Sequence, residues 1–187
     1  MIGMECGIMS ARQHAVALLC AAASVVGLGT TAFAQDVSSP SLKAAYIYRF
    51  ALFTEWPVDA LPPDAPLTMC VVGDAAVRDA LERTVDGLTV DKRPVVVKFD
   101  QRGRPPDPCH LLYVSAVPSA QAARLLSDVR TLPVLTMSDL EGFNRMGGIA
   151  EFFYEPGQLR FSIRIDAVKE SQLQLSSRLI ELGRPVR

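Results

Sequence analysis

Residues 42–57 read LKAAYIYRFALFTEWP. The stretch is almost wholly apolar, carries Tyr46, Tyr48, Phe50, Phe53 and Trp56, meets no helix breaker before Pro57 and follows the helix-start pair Pro40-Ser41. An apolar run of this length headed by proline predicts a buried helix rather than a strand. At about 100° per residue, Leu42, Tyr46, Phe50 and Phe53 form one bulky arc flanked by Trp56, and Arg49 falls inside it. Arg49 has two readings. It is either a guanidinium snorkelling past the edge of the core, or a cation at the mouth of an aromatic-lined pocket, placed to bind a carboxylate or an acidic partner.

Upstream of this helix, the chain opens with a polar start containing Arg12 and His14. An apolar run from Ala15 to Leu28 and then Ala32-Phe33-Ala34 follow. This is the pattern of a secretory signal peptide, residues 1–34, cleaved after Ala34. The apolar run is short for a membrane span, which needs about 20 residues. Leu18-Leu19 before Cys20 lacks the small residue a lipoprotein signal places ahead of its cysteine. The expectation is an exported, soluble domain over residues 35–187, a size that suits one domain with a real core. With 19 basic and 20 acidic residues interspersed along the chain, there is no electrostatic footprint for nucleic acid.

Downstream, strand and helix alternate. Leu67 to Val72 (LTMCVV) reads as a buried strand. Gly73-Asp74 then leads into a helix over 75–85 with Asp74 as its N-cap and Val77, Leu81 and Val85 facing inward. A strand over 94–99, a loop over 101–108, a strand over 109–114 (CHLLYV), a helix over 119–130 and a strand over 133–137 follow. Alternation of this kind predicts an α/β fold, a mainly parallel mixed sheet flanked by helices. After Gly142 the pattern changes: residues 149–154 and 159–165 flank Glu155-Pro156-Gly157-Gln158, whose Pro-Gly centre marks a type II turn and hence a C-terminal antiparallel hairpin. A turn of helix near Asp166 and a final helix with Leu179, Ile180 and Leu182 close the domain, and residues beyond Gly183 are expected to fray.

Catalytic equipment is sparse. Outside the leader the only histidine is His110, at the start of a buried strand, a place for a structural imidazole more than a general base. No nucleophile elbow, zinc-protease helix, P-loop or C-x-x-C occurs, so no catalytic residue, metal site or cofactor is expected. Gly147-Gly148 beside Arg145 is either a hinge into the hairpin or a backbone cradle for an anion. Cys6 and Cys20 lie in the leader. Cys70 and Cys109 remain, in strand-like runs, either as one disulfide closing a loop of about forty residues or as two buried thiols.

Taken together, KAAYIYRFALFTEWP from Lys43, CVVG from Cys70, CHLLYVS from Cys109, VLTMSDLEGFNRMGGIAEFF from Val134 and LRFSIRIDAVKESQLQLSSRLIEL from Leu159 resemble the YfiR/HmsC-like family over almost the whole exported chain. The resemblance implies a periplasmic inhibitor that binds the sensor region of a membrane-bound diguanylate cyclase. An outer-membrane lipoprotein can sequester such an inhibitor, and a second copy of the chain is a further candidate partner. It also implies a Cys70–Cys109 disulfide, without the second bridge of some relatives, since no cysteine lies between Met146 and Phe153. The family more often has Asn at the position of Arg49. The expected partner face combines the first helix with the final hairpin and helix through Arg49, Phe161, Arg164 and Arg178, with the disulfide holding the strand edge and loop that present it. The other reading is a periplasmic module that takes an aromatic or carboxylate metabolite between Tyr46, Arg49, Phe50 and Phe53.

Overall fold

The computed structural model describes residues 39–100 and 107–186. The segment read as a signal peptide and most of the 101–108 loop lie outside the described residues.

The first helix, α1, spans Pro40–Leu52, with Ser39 Oγ accepting from the Leu42 N–H at 3.2 Å and Pro40 in the first turn, where its missing N–H costs nothing. It ends five residues before Pro57. Thr54 Oγ1 donates to Phe50 O at 2.7 Å, and Thr54–Glu55 (β1) leaves the helix to pair antiparallel with Gln174–Leu175 (β9). That tertiary pairing outweighs the helical preference of the apolar run. The deepest face of α1 also differs from the bulky arc: Lys43, Ala44, Ile47, Phe50 and Ala51 are buried, while Leu42, Tyr46 and Phe53 are half-buried. The small Ala44 and Ala51 let α1 lie close against its neighbour, the helix α2 at Ala75–Val85.

Leu67–Val72 (β2) is buried at every residue, as the unbroken apolar run requires of a central strand. Asp74 Oδ1 caps α2 by accepting from the N–H groups of Ala76 and Val77 at 2.9 and 3.2 Å. Gly73 between strand and helix has φ +93°, and a Cβ there would stand 2.0 Å from Ser115 O, so only glycine fits. Thr89–Val90 (β3) and Arg93–Asp100 (β4) form a tight hairpin through Asp91 and Lys92, both at positive φ. Leu111–Val114 (β5), Ser119–Val129 (α3) and Leu135–Ser138 (β6) complete the alternating part. Ala150–Glu155 (β7) and Gln158–Arg164 (β8) are the expected hairpin, with Gly157 at φ +74° in its turn. Ile165–Glu170 (α4), then β9, then Ser177–Leu182 (α5) follow.

Among the described residues the main sheet has eight strands, ending in β10 at Arg184–Val186, in the order β10-β8-β7-β6-β5-β2-β4-β3. Its pairs are parallel except β3 with β4 and β7 with β8. The outermost strand, β10 at Arg184–Val186, is the segment expected to fray; it instead runs parallel to β8. Gly183 lets the chain pass the Phe161 ring, which a Cβ would approach to 2.5 Å. Arg184 stacks over Phe153 at 4.7 Å and pairs with Glu155 at 3.2 Å.

Alternation along β2 divides the core. Met69 and Val71 join the cluster formed with α1 and α2, which extends to Phe152, Phe161, Ile163 and Leu179. Cys70 and Val72 join α3 and Phe143 on the opposite face. No helix among the described residues is long and apolar enough to cross a membrane.

Candidate binding cleft

The position of α1 depends on a residue that the aromatic pattern conceals. Lys43 Nζ reaches Asp139 Oδ2 at 2.6 Å, and the two side chains are only 10% and 14% exposed. Ser115 Oγ donates to Asp139 Oδ1 at 2.5 Å. Ser115 follows β5 and Asp139 follows β6, so the ion pair pins the first turn of α1 at the C-terminal edge of the parallel strands. Burial opposes the ammonium charge, but the hydrogen bond and charge of Asp139 outweigh it and hold the Lys43 pKa above the usual lysine value.

Held there, α1 forms one wall of a cleft of about 310 Å³. Tyr46, Arg49, Phe50 and Phe53 come from α1, Leu159, Arg160 and Phe161 from β8, and Leu179 and Leu182 from α5. The aromatic rings meet edge to face: Phe50 with Phe161 at 4.9 Å, Tyr46 with Phe161 at 6.2 Å, and both α1 rings with Phe152 at about 6 Å. Such contacts add about 0.5–1.5 kcal/mol per pair beyond the area buried. Tyr46 Oη donates to Leu159 O at 3.1 Å, which ties α1 to the strand. Phe161 is 7% exposed, whereas Leu182 at the cleft is 71% exposed. Arg49 is exposed, and Arg160 is held at 3.3 Å by Glu155. The arrangement suits an apolar group carrying or flanked by a carboxylate: aromatic surface takes the first and guanidinium the second.

Of the expected partner residues, Arg49 and Phe161 therefore meet in one cleft. Arg178 is exposed on α5, the helix that supplies Leu179 and Leu182, but does not line the cleft. Arg164 is not brought to the others. It alternates with Phe161 and Ile163 along β8 and lines clefts with α3 and with the loop at 141–147, on the opposite face of the sheet. Cys70 and Cys109 form a disulfide with Cα atoms 6.0 Å apart. Its Cys70 end lies in the α3-side core, so the bridge joins β2 to the approach to β5 rather than supporting the aromatic cleft.

His110 is used structurally. Its Nδ1 accepts from the Thr68 N–H at 2.9 Å and its Nε2 donates to Ala60 O at 3.2 Å, which makes the ring a neutral strut between β2 and the 57–66 loop. Burial lowers its pKa below the usual histidine value, and the nearby Lys98 charge acts in the same direction. Gly148 packs under the Phe143 ring, where a Cβ would fall 2.2 Å from it. Gly147 has φ +106° and open space where a side chain would stand.

Sequence reasoning did not assign Lys43, Leu159 or the leucines of α5 to a site. The available signal for Lys43 was its spacing: positions 43, 47, 50 and 51 share a helix face, so a lysine there needs an anion, and Ser138-Asp139 after a strand offers one.

A family model described as YfiR/HmsC-like matches residues 40–184. No curated protein matches the chain.

Proposed function

The chain belongs to the YfiR/HmsC-like family, and from that premise we propose that it is a periplasmic regulator that binds the sensor region of a membrane-bound diguanylate cyclase and holds the enzyme inactive. Cyclic di-GMP, exopolysaccharide and biofilm growth fall as a result. The family match over residues 40–184 carries this reading; the leader pattern of residues 1–34, read as a signal peptide, supports export. The protein acts by binding rather than by catalysis. It binds one state of the sensor better than the other, and about 3 kcal/mol of differential affinity changes the ratio of active to inactive cyclase about a hundredfold.

The docking face we assign is the cleft between α1, β8 and α5, with Phe161 as its floor, Leu182 at its edge, Arg49 as the charged contact and Arg178 as a neighbouring cation. An amphipathic segment with an apolar anchor and an acidic flank fits it. Tagged protein incubated with detergent-solubilised membranes is expected to retain a diguanylate cyclase on the affinity resin, identified as cyclase polypeptide by mass spectrometry. Arg49→Glu combined with Leu182→Asp, two exposed positions whose change spares the core, is expected to reduce the captured cyclase at least tenfold. Equal capture by the variant overturns this docking face, and no captured cyclase with the unaltered protein counts against the cyclase as partner.

The cleft also favours a second reading, an aromatic carboxylate metabolite seated on Phe50 and Phe161 with Arg49 on its carboxylate. A rise in unfolding temperature of the isolated protein with phenylacetate, lost in Arg49→Gln, supports it; no shift at millimolar phenylacetate counts against it.

A further inference from the structure

A second cleft, of about 280 Å³, lies on the α3 face of the sheet. Ala123, Leu126, Ser127 and Arg130 of α3 and its C-terminal cap form one side, Arg145, Met146 and Gly147 a second, and Arg164 at the end of β8 with Glu170 at the end of α4 the third. Three guanidinium groups from three separate segments thus face one space, against a single carboxylate. That carboxylate is already engaged: Glu170 accepts from Arg130 Nε at 3.0 Å and from Nη2 at 3.4 Å, an exposed fork at the rim.

The other two arginines make no hydrogen bond to Glu170, although the Arg164 charge also acts on its carboxylate. Arg145 and Arg164 make no ion pair among the described residues. Arg164 Nη1 donates to Asn144 O at 3.2 Å, which holds its guanidinium beside the loop. Its Nε is buried and has no hydrogen-bond partner among the described residues. A buried guanidinium N–H left unmatched is costly, and an oxyanion is the group that relieves the cost. Gly147, with open space where a Cβ would be, leaves its side of the cleft accessible to a ligand.

We propose that this cleft is an anion site for a small phosphate or phosphate monoester, bound by Arg145 and Arg164 with Arg130 at the rim, and with Leu126 and Met146 against its apolar part. The excess of cationic over anionic groups matches a dianion at neutral pH, and planar guanidinium forks suit phosphate oxygens. The site lies on the opposite sheet face from the aromatic cleft and does not rest on the cyclase reading.

The test is calorimetric titration of the purified protein with inorganic phosphate at low, constant ionic strength, with succinate as a second titrant. Saturable one-to-one binding of phosphate, weakened at least tenfold in Arg164→Gln and in Arg145→Gln, is the expected result. Arg145 is exposed and makes no ion pair among the described residues, so its variant reports on binding even if Arg164→Gln unfolds. No saturable heat, or phosphate binding unchanged in Arg145→Gln, overturns the site. Succinate binding as tightly as phosphate overturns the phosphate assignment in favour of a dicarboxylate.

Discussion

Removing the Lys43 ammonium leaves the Asp139 carboxylate beneath α1 without its counter-ion, with Ser115 still donating to Oδ1. Breaking a largely buried pair from one side costs more than the pair contributes, because the remaining charge stays desolvated. Lys43→Ala is therefore expected to lower unfolding stability by about 3 kcal/mol, and Lys43→Met with Asp139→Leu to recover most of that loss, both read by denaturant titration. His110 gives a pH dependence whose sign follows from its geometry. Burial lowers its folded-state pKa below the usual histidine value of about 6.5, so between the two pKa values the unfolded chain binds more protons than the folded one. Stability is thus complete above about pH 6.5 and falls as pH drops toward the lower folded-state value. Protonation would also set an N–H of the ring against the Thr68 N–H that Nδ1 now accepts. Urea titrations at pH 7.5 and 5.5 are expected to show this loss, and His110→Gln to show less of it.

Among the elements, those legible in the sequence are the ones whose cause is local. β2 and β5 announce themselves as unbroken apolar runs, Asp74 caps α2, and Pro156-Gly157 makes the β7–β8 turn. The end of α1 and the strand β10 are not legible, because each depends on a distant partner: Leu175 for Thr54, and Ser162 to Arg164 for Arg184 to Val186. The aromatic pocket was half legible. Its α1 wall follows from helical spacing, but Leu179 and Leu182 reach it only through the path of the chain after β8, and Arg164 falls on the other face because side chains alternate along a strand. At this scale the most sensitive junction is Gly73, between β2 and α2. A side chain there meets Ser115 O and must adopt φ near +93°. Gly73→Ala is expected to cost about 3 kcal/mol, more than a surface Gly→Ala such as Gly87→Ala, in paired thermal unfolding scans.

Over the whole molecule, the sheet separates two kinds of surface, an aromatic cleft bordered by α1 and α5 and an arginine cleft bordered by α3. The disulfide links the strands between them across 39 residues of sequence, and removing it costs about 4 kcal/mol in the chain-entropy model. Its Cys70 end packs in the α3-side core, so Cys70→Ser with Cys109→Ser is expected to lower unfolding temperature while leaving cyclase capture unchanged at temperatures where the variant is folded. The regulatory account itself turns on where the protein acts and on what. The most direct measurement is intracellular cyclic di-GMP in a strain lacking the gene, complemented either with the full chain or with a copy lacking residues 1–34. The account predicts a rise on deletion that only the copy carrying the leader reverses; unchanged cyclic di-GMP on deletion, or equal rescue by the leaderless copy, contradicts it.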